Sequence, residues 1–225
     1  MIPTSENDLS LDLSRDGSQT VYSERYGQHY HSMHGALSES EHVFIKEGLD
    51  RLTRTKIKVL ECGFGSGLNA LLTLREAIER NIEIDYHGIE LNPISEEIWN
   101  SLKYERSGLK ELMTFFQAMH EAQWAKQSQI HPLFQLTKLK EDLITTSLEG
   151  GYDLVYFDAF GPATQPELWT REIFERMYQS MATGGVLTTY SCKGDVRRAM
   201  TSIGFDVEKP EGPPGKRSML VGIKG

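Results

Sequence analysis

Between Lys56 and Leu91 the sequence passes from a strand-like stretch through a glycine-rich turn into a helix-like stretch, then into a second strand-like stretch. This order constrains the fold more than any other feature. "IKVLECG" is a short aliphatic run ending in glycine, and "SGLNALLTLREAIERN" carries its apolar residues at helical spacing. "IEIDYHGIEL" is the next strand. Strands joined through a helix lie parallel in one sheet, with the helix on a face. The alternation then continues. "PISEEIWNSL" opens with Pro93 in a first-turn position and carries acids early, as helices do, and a second helical stretch covers Leu109 to Lys126. "HPLFQLTKLK" is the third strand, "YDLVYFD" the fourth and clearest, and "PELWTREIFERMYQSM" a helix that ends before Gly184. "GVLTTYS" is a fifth strand and "GDVRRAMTSIG" a helix. "FDVEKP" and "RSMLVGIK" are two last strands whose short connecting loop, "EGPPG", makes them antiparallel. The expectation is an α/β fold with a seven-stranded, mostly parallel sheet, one antiparallel strand and helices on both faces. Such sheets hold ligands at the carboxyl ends of their strands, where the strand order reverses.

Residues 1–50 do not follow this alternation. "DGSQTVYS" reads as a strand of a small hairpin, and "GQHYHSMHGALSESEHVFIKEGLDRL" is dense in polar aromatics before it turns helical. The expectation is an N-terminal extension, residues 1–50, packing over the active site, with residues 51–225 forming the main domain. A chain of 225 residues suffices for one well-buried domain with such an appendage. No apolar run approaches the roughly 18 residues that suggest a membrane span, and the polar, acidic start is unlike a signal peptide. Cys62 and Cys192 offer no disulfide framework, so the expected location is the reducing cytoplasm. The formal net charge of −8 argues against non-specific coating of nucleic acid. Positive charge still clusters at Arg51, Arg54, Lys56 and Lys58, at Lys193, Arg197 and Arg198, and at Lys216 and Arg217. The plain reading of each cluster is solvated surface charge.

"ECGFGSGLN", Glu61 to Asn69, lies between the first strand and its helix. Gly63, Gly65 and Gly67 let the backbone turn sharply and approach a ligand, with Phe64 and Asn69 beside them. A dinucleotide site spaces its glycines G-x-G-x-x-G/A. Here the spacing is G-x-G-x-G, bulky Leu68 takes the place of the final small residue, and the acid Glu61 precedes the first glycine by two. The mismatch favours S-adenosylmethionine, which has no pyrophosphate but carries an ammonium group that acids can hold. Glu90, at the end of the second strand, is placed to accept hydrogen bonds from ribose hydroxyls; an acid there suits NAD equally well. Asp142 is a candidate acceptor for an adenine amino group or, equally, a cap for "LITTSLEG".

In "YDLVYFDAFGPATQPELW" a buried strand delivers a carboxylate, Asp158, into a turn of Ala159, Phe160, Gly161 and Pro162. A charge there is costly without a partner or a task.

These segments, together with "DGSQTVYSERYGQHYHSMHGALSESEHVFI", "LTTYSCKGDVRRAM" and "GPPGKRSML", resemble the methyltransferase half of the MnmC family. Its members are bifunctional tRNA 5-methylaminomethyl-2-thiouridine biosynthesis proteins, with stand-alone MnmD-like forms. The resemblance covers nearly the whole chain and is weakest from Lys103 to Glu141. It implies a Rossmann-like class I S-adenosylmethionine-dependent methyltransferase. Such an enzyme N-methylates the 5-aminomethyl group of the wobble (2-thio)uridine in the tRNA anticodon region. The two-domain members add an FAD-dependent oxidoreductase that makes the amine. This chain stops after the seventh strand, so no FAD is expected, and the amine would come from a separate oxidoreductase or tRNA-modifying enzyme. By resemblance Gly63, Gly65 and Gly67 belong to the cofactor loop, Glu90 to the ribose site and Asp158 to catalysis. Phe160, Gly161 and Pro162 then wall the target pocket, and Tyr30, His31 and Ser32 border it.

An alkylamine has a pKa of about 10 and is mostly protonated at neutral pH. Asp158 would receive or steer the departing proton and aim the nitrogen at the methyl group. Phe160 would stack on the exposed uracil, or simply pack under the loop. Lys193, Arg197, Arg198, Lys216 and Arg217 would contact phosphates. His29, His31 and His34 form an H-x-H-x-x-H run without a full ligand set, so no metal is expected. The alternatives are a methyltransferase or aminopropyltransferase acting on a small amine or protein, a binding module with a decayed site, and an NAD oxidoreductase.

Overall fold

The segment ahead of the main sheet folds against it. The computed structural model describes residues 8–104 and 108–225. It opens with an antiparallel sheet of β1 (Leu9–Leu13), β2 (Gln19–Ser23) and β3 (Gln28–His29), followed by α1 (Ala36–Ser40), which runs into a π-helical turn over Glu41–Lys46. The hairpin expected around "DGSQTVYS" is therefore present, with a third strand added. Val21, Phe44 and Leu49 are buried in one apolar cluster with Val59 and Tyr86 of the main sheet. Asp16, in the β1–β2 turn, accepts hydrogen bonds from Ser38 N at 3.0 Å and Ser38 Oγ at 2.8 Å, which satisfies an otherwise unpaired donor in the first turn of α1.

The main sheet contains β4 (Lys56–Cys62), β5 (Glu83–Ile89), β6 (Gln127–His131), β7 (Phe134–Leu139), β8 (Tyr152–Phe157), β9 (Met181–Thr189), β10 (Phe205–Glu208) and β11 (Leu220–Lys224). Their order is β10-β11-β9-β8-β4-β5-β7-β6. Strands β7, β5, β4, β8 and β9 pair in parallel, and β11 is antiparallel to both β9 and β10. The sheet thus has eight strands where seven were expected, and a second antiparallel one, because β6 folds back on β7. "QSQIH" has little of the apolar alternation that marks a strand, which an edge position facing water tolerates. His131 and Pro132, expected inside the third strand, end β6 and make the turn.

Side chains alternate across the sheet. Val59, Leu154 and Tyr156 face α2 (Leu68–Arg80), while Leu60, Val155 and Phe157 face the other layer. A third helix, α3 (Glu96–Ser101), is capped by Ser95 Oγ, which accepts from Ile98 N. Pro93 therefore lies ahead of the helix instead of in its first turn, since the cap fixes where it starts. Next come α4 (Met113–Glu121), shorter than the stretch expected from Leu109 to Lys126, then α5 (Arg171–Ser180) and α6 (Gly194–Ile203). Ile173, Phe174 and Met177 of α5 are buried against β8 and β9, each worth roughly 1.5–3 kcal/mol of apolar burial. Helix α2 is buried nearly all round because α1 and the π-helical turn cover its outer side. Arg75 pairs there with Glu41 at 2.9 Å, and Arg80 with Asp50 at 2.5 Å.

The chain builds outward from β4 through β5 to β7, then crosses to β8 on the other side. The reversal lies between β4 and β8, so the turns after these two strands border the crevice that such sheets use for ligands.

Candidate functional site

Three strand ends are stitched together by main-chain bonds. Gly63 N and Phe64 N each donate to Ile89 O at 3.0 Å, and Asp158 N donates to Cys62 O at 3.0 Å. Gly63 has φ +95°, and a Cβ there would stand 2.7 Å from the Asp158 carbonyl oxygen. The glycine is needed first for the junction of β4 with β8, because a side chain would force the strand ends apart. At Gly65, with φ +50°, a Cβ would meet the Tyr30 ring at 2.9 Å. Gly67 precedes α2 and faces His120, so it shapes the loop from behind and does not line the cavity. His120 Nε2 donates to Ser66 O at 3.1 Å, and its ring stacks on Trp99 at 5.1 Å. Burial pushes the imidazole down to about 3, so it stays neutral beneath the loop.

A cavity of about 450 Å³ lies over these strand ends, within the ordinary range for small-molecule sites. On one side Glu90 accepts from Gly65 N at 3.0 Å and Asn92 N at 2.8 Å. Burial raises its pKa against the pull of these amides. The two bonds fix the carboxylate at the cavity wall with acceptor capacity left over, which fits a ligand that presents hydroxyls. Asp142 also lines this side and accepts from Ile144 N at 2.9 Å; the stretch "LITTSLEG" forms a turn and no helix, so Asp142 closes a turn instead of capping a helix.

Glu61 does not reach the wall. It is completely buried, because it shares a sheet face with Val59 and points at the first turn of α2. There Asn69 Nδ2 donates both to Glu61 Oε1 and to Asp158 Oδ2, each at 2.8 Å. Asn69 Oδ1 has no hydrogen-bond partner, and the Tyr86 hydroxyl is the other polar group beside the Glu61 carboxyl. Burial and the Asp158 charge hold the Glu61 carboxyl well above the usual carboxylate range. Glycine loop, Glu90 and Asn69 together suit the amino-acid and ribose parts of S-adenosylmethionine, and Glu61 lies behind Asn69.

Asp158 faces the opposite side. Burial, then the neighbouring Glu39 charge, hold its carboxyl well above the usual range, against the opposing effects of Asn69 and Lys216. The turn that follows is anchored: Phe160 N donates to Gln165 Oε1 at 3.2 Å, and Trp169 Nε1 donates to Phe160 O at 2.7 Å. Gly161 and Pro162 do not line the cavity; Gly161 O accepts from Thr164 N and Gln165 N and closes the turn that carries Phe160. The Phe160 ring is already engaged, stacked on Tyr26 at 4.4 Å and edge-on to Tyr30 at 5.2 Å. Tyr26 reaches back to the other side, where its hydroxyl accepts from Asn92 Nδ2 at 3.4 Å.

His31 and Ser32 also line the cavity. His31 is buried, its Nδ1 is unpartnered, and burial, aided by Lys216, pushes it down to about 4. Lys216 stands in the wall, 2.9 Å from Glu39 and 4.1 Å from the Tyr190 ring centroid. Lys193, Arg197 and Arg217 are exposed and off the cavity, and Arg198 pairs with Asp195. The cluster from Arg51 to Lys58 belongs to the far end of the sheet, where β4 begins. There it pairs with Glu47, Asp153, Glu83 and Glu149. The three histidines of the H-x-H-x-x-H run part company: His29 pairs with Asp12, and His34 contacts Arg15. Among the described residues no group of three or more His, Cys, Asp or Glu is placed to hold a metal ion, and no helix is long and apolar enough to cross a membrane.

Sequence reasoning did not single out Tyr26, Glu39, Asn92, Gln165 or Tyr190, all of which line the cavity. Tyr26, Glu39, Gln165 and Tyr190 lie inside the segments that carry the family resemblance, which is the signal that marked them.

A family model described as S-adenosyl-L-methionine-dependent methyltransferase matches residues 108–225. Relatives include the tRNA 5-methylaminomethyl-2-thiouridine biosynthesis bifunctional protein MnmC of Cupriavidus metallidurans, 34% identical over 93% of this chain and 33% of the relative. The MnmC protein of Aromatoleum aromaticum is 33% identical over 94% of this chain and 35% of the relative. The chain thus spans about a third of the length of these curated relatives. Among solved structures, MNMC2 from Aquifex aeolicus shares the fold with a TM-score of 0.80 and 23% identity, over 95% of this chain and 70% of that one. Spermidine synthase from Thermotoga maritima shares it with a TM-score of 0.59 and 17% identity, over 100% of this chain and 72% of that one.

Proposed function

Since the chain belongs to the S-adenosyl-L-methionine-dependent methyltransferase family, we propose that it N-methylates the 5-aminomethyl group of the wobble (2-thio)uridine of tRNA. The names of the relatives point to a product that carries a methylated amine on tRNA. The observation that carries the reading is the place of Asp158. Its main chain is bonded to the strand that leads into the glycine loop, and its carboxyl shares one cavity with Glu90 and Phe160.

Bound S-adenosylmethionine supplies a methyl group activated by its sulfonium. Gly63, Phe64, Gly65 and Asn69 would hold the amino-acid part, with Glu61 behind, Glu90 the ribose and Asp142 the adenine. The chain's own part in the chemistry is to present the acceptor nitrogen with a lone pair. Asn69 occupies Oδ2 of Asp158, leaving Oδ1 to receive the amine's proton and keep the nitrogen in line. A carboxyl held above its usual range is a better match for an amine of pKa about 10 than an ordinary aspartate. Positioning of this kind is worth on the order of 7 kcal/mol in favourable cases. Phe160 offers a ring for the uracil once Tyr26 yields its face, with Tyr30 and His31 beside it. Of the expected extension over residues 1–50, residues 8–50 would cover this acceptor side and residues 1–7 lie outside the described residues; residues 51–225 would be the methyltransferase domain.

Lys193, Arg197, Arg198 and Arg217 would meet anticodon phosphates. A separate oxidoreductase or tRNA-modifying enzyme would supply the amine, in the cytoplasm. The test is to incubate the protein with labelled S-adenosylmethionine and tRNA bearing the aminomethyl precursor and to identify nucleosides by mass spectrometry. A labelled methylaminomethyl nucleoside is expected; none at all contradicts the reading.

A further inference from the structure

Lys216 and Glu39 meet at the acceptor side of the cavity although neither is near the other in sequence. Glu39 comes from α1 and Lys216 from the loop between β10 and β11. The Glu39 side chain is only 8% exposed, and Lys216 Nζ lies 2.9 Å from its Oε2, yet Oε2 accepts no aligned hydrogen bond. The ammonium also sits 4.1 Å from the centroid of the Tyr190 ring. Tyr190 in turn donates from its hydroxyl to Ala159 O at 2.8 Å, one residue past Asp158. The pair is therefore tied by packing to the turn that carries Asp158, and all four side chains line one cavity.

We propose that Glu39 and Lys216 are positioning residues of the transfer reaction, a half-buried ion pair that neutralises itself and leaves Asp158, beside it, open to a cationic amine. This rests on the methyl-transfer reading above. The pair is held in place because Glu39 is buried, so removing Lys216 leaves its charge uncompensated. The surroundings of Asp158 support the idea. The groups that bear on Asp158 are Glu39 from α1, Lys216 from the β10–β11 loop and Tyr190 after β9, with Glu61 of β4 behind Asn69 of α2 and Tyr86 of β5. Tyr190 and Tyr86 are kept neutral by burial, and burial raises the Glu61 carboxyl as it raises Asp158. His31, on the far side of Lys216, is likewise neutral. The site so described selects a protonated amine over a neutral or anionic acceptor. It also prevents Lys216 from competing for Asp158.

The experiment reads the titration of Asp158 directly, by carbon-detected carboxyl NMR of the ligand-free full chain, with Asp158→Asn used to assign its signal. Glu39→Gln is expected to lower the Asp158 midpoint by about one pH unit, since a neighbouring negative charge is gone and Lys216 is released toward it. Lys216→Met is expected to raise the Asp158 midpoint by a similar amount, since a neighbouring positive charge is gone. The double variant is expected to return near the wild-type value, and the acid limb of methyl transfer against pH to move with Asp158 in Glu39→Gln. Midpoints that stay in place, or that move the same way in both single variants, overturn the clamp. So does a loss of about one from the salt slope of tRNA binding in Lys216→Met, which would make the lysine a phosphate contact. Lys216 is partly exposed, so its variant keeps the question decidable if Glu39→Gln does not fold. Midpoints that shift as expected in a protein that methylates no aminomethyl tRNA would uphold the clamp and sink the functional reading.

Discussion

On the glycine-loop side of the cavity, Gly63, Phe64 and Glu90 are held by main-chain hydrogen bonds between neighbouring strand ends. On the acceptor side, Tyr26, Glu39, Phe160 and Lys216 come from four separate segments that meet through side chains: a ring stack, an ion pair and a cation over a ring. The first kind of construction is rigid and local. The second can open, because stacked rings and ion pairs part without breaking a sheet. A small cofactor needs the former. On the proposed reading a base presented on a macromolecule needs the latter, since Tyr26 would have to yield the face of Phe160 before a second ring could take it. Tyr26 belongs to both, stacked on Phe160 while its hydroxyl accepts from Asn92 beside Glu90.

Substitutions should separate the two sides. The largest effect belongs to the junction between them: Gly63→Ala is expected to weaken cofactor binding and transfer together, each by about 10²-fold or more, because a displacement near 1 Å costs that much. Calorimetry beside a transfer assay checks it, and a loss confined to transfer would show that the junction is not shared. Next is a pH effect on stability. The folded His120 is pushed down to about 3, so the unfolded chain binds the extra proton, and stability is lost as pH falls from about 6.5 toward 3. At pH 5 this amounts to about 2 kcal/mol. His120→Gln should remove that part of the acid sensitivity, as read from melting temperatures at pH 7 and pH 5. His31, pushed down to about 4 on the acceptor side, contributes in the same direction.

A smaller effect is expected from Glu90→Gln, about tenfold in cofactor affinity, with the affinity for tRNA unchanged. The smallest concerns the exposed cations. Lys193→Ala and Arg217→Ala should each reduce the salt slope of tRNA binding by about one while leaving cofactor binding alone.

The same contrast explains what could be read from sequence. The β4–α2–β5 unit follows from periodicity and glycine placement, and Asp158 from a charge set at the end of a strand whose six residues are all buried. The eighth strand escaped because "QSQIH" is a polar edge that borrows its order from β7. Glu61 was expected at the ligand, yet the alternation that sends Val59 toward α2 sends Glu61 there too, and Asn69 stands in between. Lys216 reads as a surface cation in "GKRS"; only the fold brings Glu39 to it, through the Asp16–Ser38 bonds that set α1. Contacts between distant segments leave no period in the sequence.

The central claim is that a cofactor side and an acceptor side meet at Asp158. The most direct measurement pairs calorimetric titration of S-adenosylmethionine with single-turnover methyl transfer in Asp158→Asn. Cofactor affinity within a few-fold of wild type, with transfer slowed by roughly 10²–10⁴-fold, is the expected result. Undiminished transfer, or an equal loss of binding and rate, would contradict it.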